Sequence, residues 1–350
     1  MGKDRTLKYK TNSKLLSLFT VLVIAIPVFA SAVDKSPESP VVARIEGNRG
    51  WLDNGIVKVA VDKDYGGAIV YASQSKSKEN MVNIFDLGRQ IQQSYYAGKG
   101  FDRQKDGQAK RWSPWAWNPV QAGNFDRDKS VVLDFKVIDK GKGIYTKCQP
   151  RLWDMNEELA KCYFHQRMHF EEGFDNVIRV TNAIQCFRDE DDMWGPAVKR
   201  AQELPAVYAI RNMSRMVMYD GDKPWTNDKL TTVKYGPKDK WIWTKRKPTE
   251  PWAACVYPDT NIGFGVYSPE CAGNTWNMGF VGKAEGTEYS GPTMHFAPLA
   301  KWELGRKTMK KYTYWIIIGE LRDIRGKVYQ LHKKHGKQKS PKPQAAPPLP

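Results

Sequence analysis

The chain has 350 residues, of which 41% are hydrophobic, with Lys+Arg 55 against Asp+Glu 38 and a formal net charge of +17 at pH 7. A chain of this length can bury a core without disulfide staples, and its five cysteines, odd in number and without C-x-x-C or cysteine–histidine spacing, argue against a disulfide scaffold or a zinc site. The excess of cations is spread over several segments instead of one basic helix, which for an exported protein favours attraction to anionic glycans or cell-surface polymers over nucleic acid.

Residues 1–32 read as a secretory signal peptide. Lys3, Arg5, Lys8, Lys10 and Lys14 precede the apolar run Leu15 to Phe29, and Ala30-Ser31-Ala32 suits cleavage after Ala32. The run is broken by Pro27 and is short for a membrane span, so no stable membrane insertion is expected after cleavage. The mature protein is therefore expected to be secreted or periplasmic. Residues 33–40 are a polar linker to a domain spanning 41–336.

That domain is expected to be mainly β. Gly55 to Val61, Gly67 to Ser73, Val131 to Ile138, Ile144 to Trp153, Cys162 to Glu171, Val177 to Cys186, Ala206 to Arg211, Ile262 to Ser268 and Lys311 to Ile318 carry β-branched and aromatic residues between turn signals. Cys162 to Glu171 alternates an apolar face with a polar one that holds His165, Arg167 and His169. The turn Gly173 to Asn176 predicts an antiparallel hairpin with Val177 to Cys186. Glu320 to His335 spaces Leu321, Ile324, Val328 and Leu331 as one helical face, and 337–350 reads as a disordered, lysine- and proline-rich tail.

Between Asp86 and Gly123 the sequence gathers Arg89, Gln90, Gln92, Gln93, Tyr95, Tyr96, Trp112, Trp115, Trp117, Asn118 and Gln121. Flat aromatic faces stack on pyranose C–H faces, and carboxamides and guanidinium bond hydroxyls or carboxylates, so this segment is expected to line a sugar groove. On a strand, Arg89, Gln93 and Tyr95 share one face, and Gln90, Gln92, Ser94 and Tyr96 the other.

The GGAI motif at Gly66 to Ile69, the pair Gly88-Arg89 entering a polar and aromatic strand, and the long meander that follows resemble the galactose mutarotase-like superfamily. The resemblance implies a β-supersandwich of large antiparallel sheets with a sugar groove, plus the C-terminal helix. It fixes sugar handling better than reaction type, since epimerases, lyases and hydrolytic proteins share the fold.

An anionic polysaccharide is the expected partner, cleaved by β-elimination in the preferred reading. Hydrolysis in the same groove and noncatalytic glycan binding at the cell envelope are the alternatives, with sugar epimerisation a third. Elimination needs a group that neutralises a uronate carboxylate and a base that removes the C5 proton. Arg89, Gln93, Trp117, Asn118, Gln121, His165 and His169 are the expected substrate ligands, with Tyr95, Glu203 and His295 as the expected catalytic residues. Glu203 stands out because it lies at the mouth of the strand Ala206 to Arg211. No metal or cofactor is expected; the acidic run Arg188 to Asp192 reads as a solvated loop, with a structural calcium site as the alternative.

Overall fold

The computed structural model describes residues 42–189, 191–235 and 243–336. The expected signal peptide, linker and basic tail lie outside the described residues. None of the described helices is long and apolar enough to cross a membrane.

Two large antiparallel sheets and one C-terminal helix dominate the described fold, so the mainly β content and the helix fall as the periodicities predict. The larger sheet runs Val42–Glu46, Arg49–Asp53, Val57–Asp62, Ala68–Gln74, Ile91–Ser94, Lys199–Ile210, Thr293–Glu303, Trp276–Val281, Lys245–Arg246. The second runs Thr231–Thr232, Arg215–Met218, Trp252–Val256, Ile262–Tyr267, Met309–Glu320, Val177–Cys186, Cys162–Phe170, Gly143–Gln149, Val131–Ile138. A two-stranded ribbon, Ala97–Phe101 with Trp115–Trp117, stands apart from both.

The expected hairpin forms, with a register that runs from Cys162 opposite Cys186 to Phe170 opposite Ile178. Its apolar face, Cys162, Phe164 and Met168, packs in one core cluster with Val59, Val61, Ile69 and Phe296 of the larger sheet. All five cysteines are buried and free, which matches their reading as small core hydrophobes. Pro150 divides the expected strand Ile144 to Trp153 into Gly143–Gln149 and Arg151–Leu152, because proline cannot donate to the ladder.

The GGAI motif has a steric cause. Gly66 sits at φ 61°, and a Cβ there would lie 1.9 Å from the Gln121 carbonyl oxygen, so any side chain would push two segments apart.

The helix, Leu321–His335, lies over a sheet face instead of a sheet end. Leu321, Ile324, Val328 and Leu331 pack against Val217, Trp252, Ala254, Val256, Tyr267, Trp315 and Ile317. Two buried carboxylates tether it. Glu250 accepts from Tyr329 Oη at 2.8 Å and lies 3.5 Å from Arg325 Nη2, both on the helix. The other, Glu171, is buried at the end of the strand that carries His165, Arg167 and His169, accepting from Trp315 Nε1 at 2.9 Å, His335 Nε2 at 2.9 Å and Lys334 Nζ at 2.7 Å.

Burial acts to raise the Glu171 pKa, but the donors from Lys334, Trp315 and His335 outweigh it and hold the carboxyl below its ordinary 4.5. A depressed folded-state pKa contributes stability that is fully present above the unfolded value and is lost as pH falls through the folded one. Urea unfolding should therefore separate wild type from Glu171→Gln at pH 7, with the gap shrinking as the pH drops below 4.5. A gap independent of pH would show that the carboxylate charge contributes nothing.

Candidate functional site

A cleft of about 310 Å³ opens beside the strands Ile91–Ser94 and Lys199–Ile210, near the lower end of the roughly 300–1,000 Å³ typical of small-molecule sites. Aromatic rings wall it. Trp112 meets Trp115 edge-to-face at 5.3 Å and Trp153 at 5.9 Å between centroids, while Trp115 lies 6.4 Å from Tyr96 and 6.5 Å from Trp243. Trp153 can enter because residue 88 is glycine: a Cβ there would sit 2.5 Å from the indole ring.

Glu203 and Tyr208 both line this cleft. Their odd separation would send them to opposite faces of a regular strand. A register irregularity between Glu203 and Val207, containing Leu204-Pro205, adds the residue that brings both to one side.

Behind Glu203 stands His295, fully buried, on the neighbouring strand. Its Nε2 is 3.6 Å from Glu203 Oε1, its ring lies 4.3 Å from that of Tyr208, and its Nδ1 is 3.1 Å from the Val207 carbonyl oxygen. A carbonyl only accepts, so Nδ1 carries a hydrogen. Nε2, without a hydrogen-bond partner among the described residues, faces the Glu203 carboxylate across 3.6 Å.

Asn277 Nδ2 also donates to Glu203 Oε1, at 3.3 Å, while Asn277 Oδ1 accepts from Lys245 Nζ at 2.5 Å. Burial lowers the Lys245 pKa, and Glu203 pulls it the other way. Burial first, and the Glu203 charge second, raise the hydroxyl pKa values of Tyr96 and Tyr208 far above the ordinary range. Both phenols hold their protons at neutral pH and are donors here, not bases.

Of the residues expected to act together, Arg89, Asn118 and Glu203 line the cleft and His295 backs it. Tyr95 is a correction. It is fully buried between the sheets, 5.1 Å from the Phe164 ring, its hydroxyl donating to Gln93 Oε1 at 2.9 Å, with burial raising its pKa well above the ordinary value. It can neither reach a substrate nor serve as a base.

Gln93, Gln121 and Trp117 are likewise interior. Gln93 Nε2 bonds the His165 carbonyl at 3.2 Å, Gln121 Oε1 accepts from Gln93 N at 3.0 Å, and Trp117 is 1% exposed. The alternation counted from Arg89 fails because Gln90 adopts φ 74°, a break in the extended chain before Ile91–Ser94 begins. Ser94 and Tyr96 face the cleft, whereas Gln93 and Tyr95 point inward.

His165 and His169 lie away from the cleft, on the polar side of the second sheet. Tyr145 Oη meets His165 Nδ1 at 2.8 Å, and His169 Nε2 meets Asp139 Oδ2 at 2.5 Å. In the acidic run, Asp189 pairs with Lys161 and Asp192 with Arg188; Glu190 lies outside the described residues. Among the described residues no cluster of three or more His, Cys, Asp or Glu is placed to hold a metal.

Asp86, Arg111, Trp153 and Tyr208 line the cleft without having been singled out from the sequence, and neither had Asn277 or Lys245 behind it. Only Tyr208 carried a usable signal, its place in a strand that begins beside Glu203.

No family model matches the chain, and no curated protein sequence matches it. Among solved structures it is similar to a 4-alpha-glucanotransferase from Thermococcus litoralis, at 9% identity over 81% of this chain and 40% of that one, with a TM-score of 0.40. It is similar to a heparan sulfate lyase from Pedobacter heparinus at 8% identity over 80% of this chain and 36% of that one, TM-score 0.37. A candidate aldose 1-epimerase from Klebsiella pneumoniae is similar at 9% identity over 85% of this chain and 87% of that one, TM-score 0.41. The chain thus spans less than half of the glucanotransferase and of the lyase.

Proposed function

We propose that the cleft binds an anionic polysaccharide and that the protein cleaves it by β-elimination, with Glu203 as the proton acceptor. The observation that carries this reading is the pairing of Glu203 with the buried His295 in a cleft walled by tryptophans. A carboxylate beside an imidazole, both screened from bulk water, suits proton transfer, and the indole and phenol rings suit pyranose faces.

In this scheme Glu203 takes the C5 proton of a uronate ring, and the C5–H electron pair is delocalised into the substrate carboxylate. The electrons then form the C4–C5 double bond as the C4–oxygen bond breaks. The departing oxygen receives a proton from Tyr208, which Glu203 restores, so no net proton is consumed. His295 steadies the charge on Glu203, and Asn118, donating to the Tyr95 carbonyl at 2.8 Å and to Ser94 Oγ at 3.3 Å while its Oδ1 accepts from Trp115 Nε1 at 3.2 Å, fixes the cleft wall against which the sugar stacks. The basic, apolar leader supports action outside the cytosol.

Hydrolysis is the second reading, because Asp86 lines the same cleft as Glu203 and supplies the second carboxylate that a glycosidase needs. A panel of uronic, sulfated and neutral polysaccharides, followed by ultraviolet absorbance and by reducing ends, separates the readings. Both signals rising together support elimination. Reducing ends without absorbance transfer the assignment to hydrolysis by Asp86 and Glu203, and saturable binding with neither signal leaves a noncatalytic glycan binder.

A further inference from the structure

We infer that Arg111, and not Arg89, is the residue that recognises the acidic group of the substrate and so sets the preference for charged over neutral saccharide; this rests on the saccharide reading of the cleft. Arg89 lines the cleft but is already engaged. Its Nη1 donates to the carbonyl oxygens of Ser290 at 3.3 Å and Gly291 at 2.5 Å, its Nε lies 3.5 Å from Asp86 Oδ2, and its guanidinium sits 4.8 Å over the Phe85 ring. Those bonds tie the segment around Gly291 to the cleft wall and neutralise the cation locally.

Arg111 is in the opposite situation. It is exposed at the cleft rim, with its guanidinium carbon 5.6 Å from the Trp112 ring centroid and 5.1 Å from that of Phe125. Among the described residues no carboxylate pairs with it and no backbone carbonyl takes its N–H groups.

Stacking on two rings restricts the plane of the guanidinium while leaving its edge donors unused, and a planar fork held in this way matches a carboxylate or sulfate bidentately. A cation that is already ordered loses little side-chain entropy on binding. The short 3-10 turn Lys110–Trp112 places it, and the turn's one aromatic, Trp112, is itself part of the cleft wall. One turn therefore presents both an aromatic of the cleft wall and an anion receptor.

The test compares binding of uronic-acid oligosaccharides with that of their carboxyl-reduced counterparts, which have the same linkage and length but no charge, by titration calorimetry at low and high salt. Wild type should prefer the acidic ligand by about 10- to 100-fold, with the preference shrinking as salt screens it. Arg111→Gln should abolish that preference while leaving affinity for the reduced ligand within about twofold, and Arg111→Lys should retain only part of it, since an ammonium keeps the charge without the fork. Because Arg111 is exposed, the thermal midpoint should not move, and a matching midpoint verifies that each variant is folded.

If wild type prefers the acidic ligand and Arg111→Gln does so equally, the assignment to Arg111 is overturned and the saccharide cleft stands. If wild type binds both ligands alike, the assignment is again overturned with the cleft intact. If wild type binds neither across the panel, the saccharide reading itself falls, and the inference with it.

Discussion

Glu203→Gln should lower turnover of a uronate polysaccharide by about 10²- to 10⁴-fold, the range typical of losing a positioned general base, while binding changes little. The substitution keeps the size and shape of the side chain. Its amide oxygen can still accept from Asn277 Nδ2, now 3.3 Å from Oε1, so the wall of the cleft should survive. What disappears is the group that can take the C5 proton and return it to Tyr208. The loss should therefore fall on kcat with KM nearly unchanged, since the interaction is made in the transition state and not in the ground state.

Tyr95→Phe is the matched control. Its hydroxyl is sealed between the sheets, bonded to Gln93 and Tyr312 and to nothing in the cleft, so removing it should cost about 0.5–1.5 kcal/mol of stability and leave turnover within about twofold. If Tyr95→Phe were the inactive variant and Glu203→Gln the active one, the assignment of roles would be reversed and the cleft would not be the reactive site. Steady-state kinetics on both proteins, with unfolding curves to confirm that each is native, decide the matter.

Much of the scaffold was legible because a strand that buries one face writes a period of two into its side chains. Val131–Ile138 and Val177–Cys186 fall where their patterns place them, and the helix face Leu321, Ile324, Val328, Leu331 is the one that packs. The site was less legible, and the carboxamides explain why. Their density suggested sugar ligands, yet Gln92 Oε1 accepts from Ala122 N at 2.9 Å, Gln202 Oε1 accepts from Tyr96 N at 2.7 Å, and Gln121 Oε1 accepts from Gln93 N.

These amides satisfy backbone groups where Gln90 and the irregularity after Glu203 interrupt the ladder. An amide that completes a broken ladder and one that binds a hydroxyl look alike in sequence. The same interruptions defeat parity counting: a left-handed residue before Ile91–Ser94 and an extra residue in Lys199–Ile210 each shift which side chains reach the cleft. Glu203 was found because it borders a strand rich in apolar residues. Arg111 was not, because its role depends on Phe125 arriving from a separate loop.

The helix tether offers the largest expected effect on stability. Glu250 is fully buried; its Oε1 accepts from Tyr329 Oη at 2.8 Å and Trp225 N at 2.8 Å, its Oε2 accepts from Trp252 Nε1 at 2.7 Å, and Arg325 Nη2 lies 3.5 Å away. Arg325 and Tyr329 belong to the helix, Trp252 to the sheet beneath it, and Trp225 to the loop beside it, so one carboxylate joins three segments. Glu250→Ala would strand the indole N–H and leave the Arg325 cation buried without its counter-charge, a change expected to cost about 3–5 kcal/mol. Glu250→Gln keeps an acceptor and should cost less, about 1–3 kcal/mol.

Because much of the larger penalty comes from the uncompensated cation, the apolar double variant Glu250→Leu with Arg325→Met should recover a substantial part of it. Urea unfolding of the single and double variants measures each term. A loss below about 1 kcal/mol for Glu250→Ala would mean that water reaches this site in solution and the tether is no stronger than a surface ion pair. The segment that carries Glu250 also carries Lys245, whose ammonium bonds Asn277 behind Glu203. Loosening the tether should therefore reach the cleft as well, and Glu250→Ala, where it remains folded, should lose turnover in proportion to the disorder of Lys245 instead of through any contact of its own with substrate.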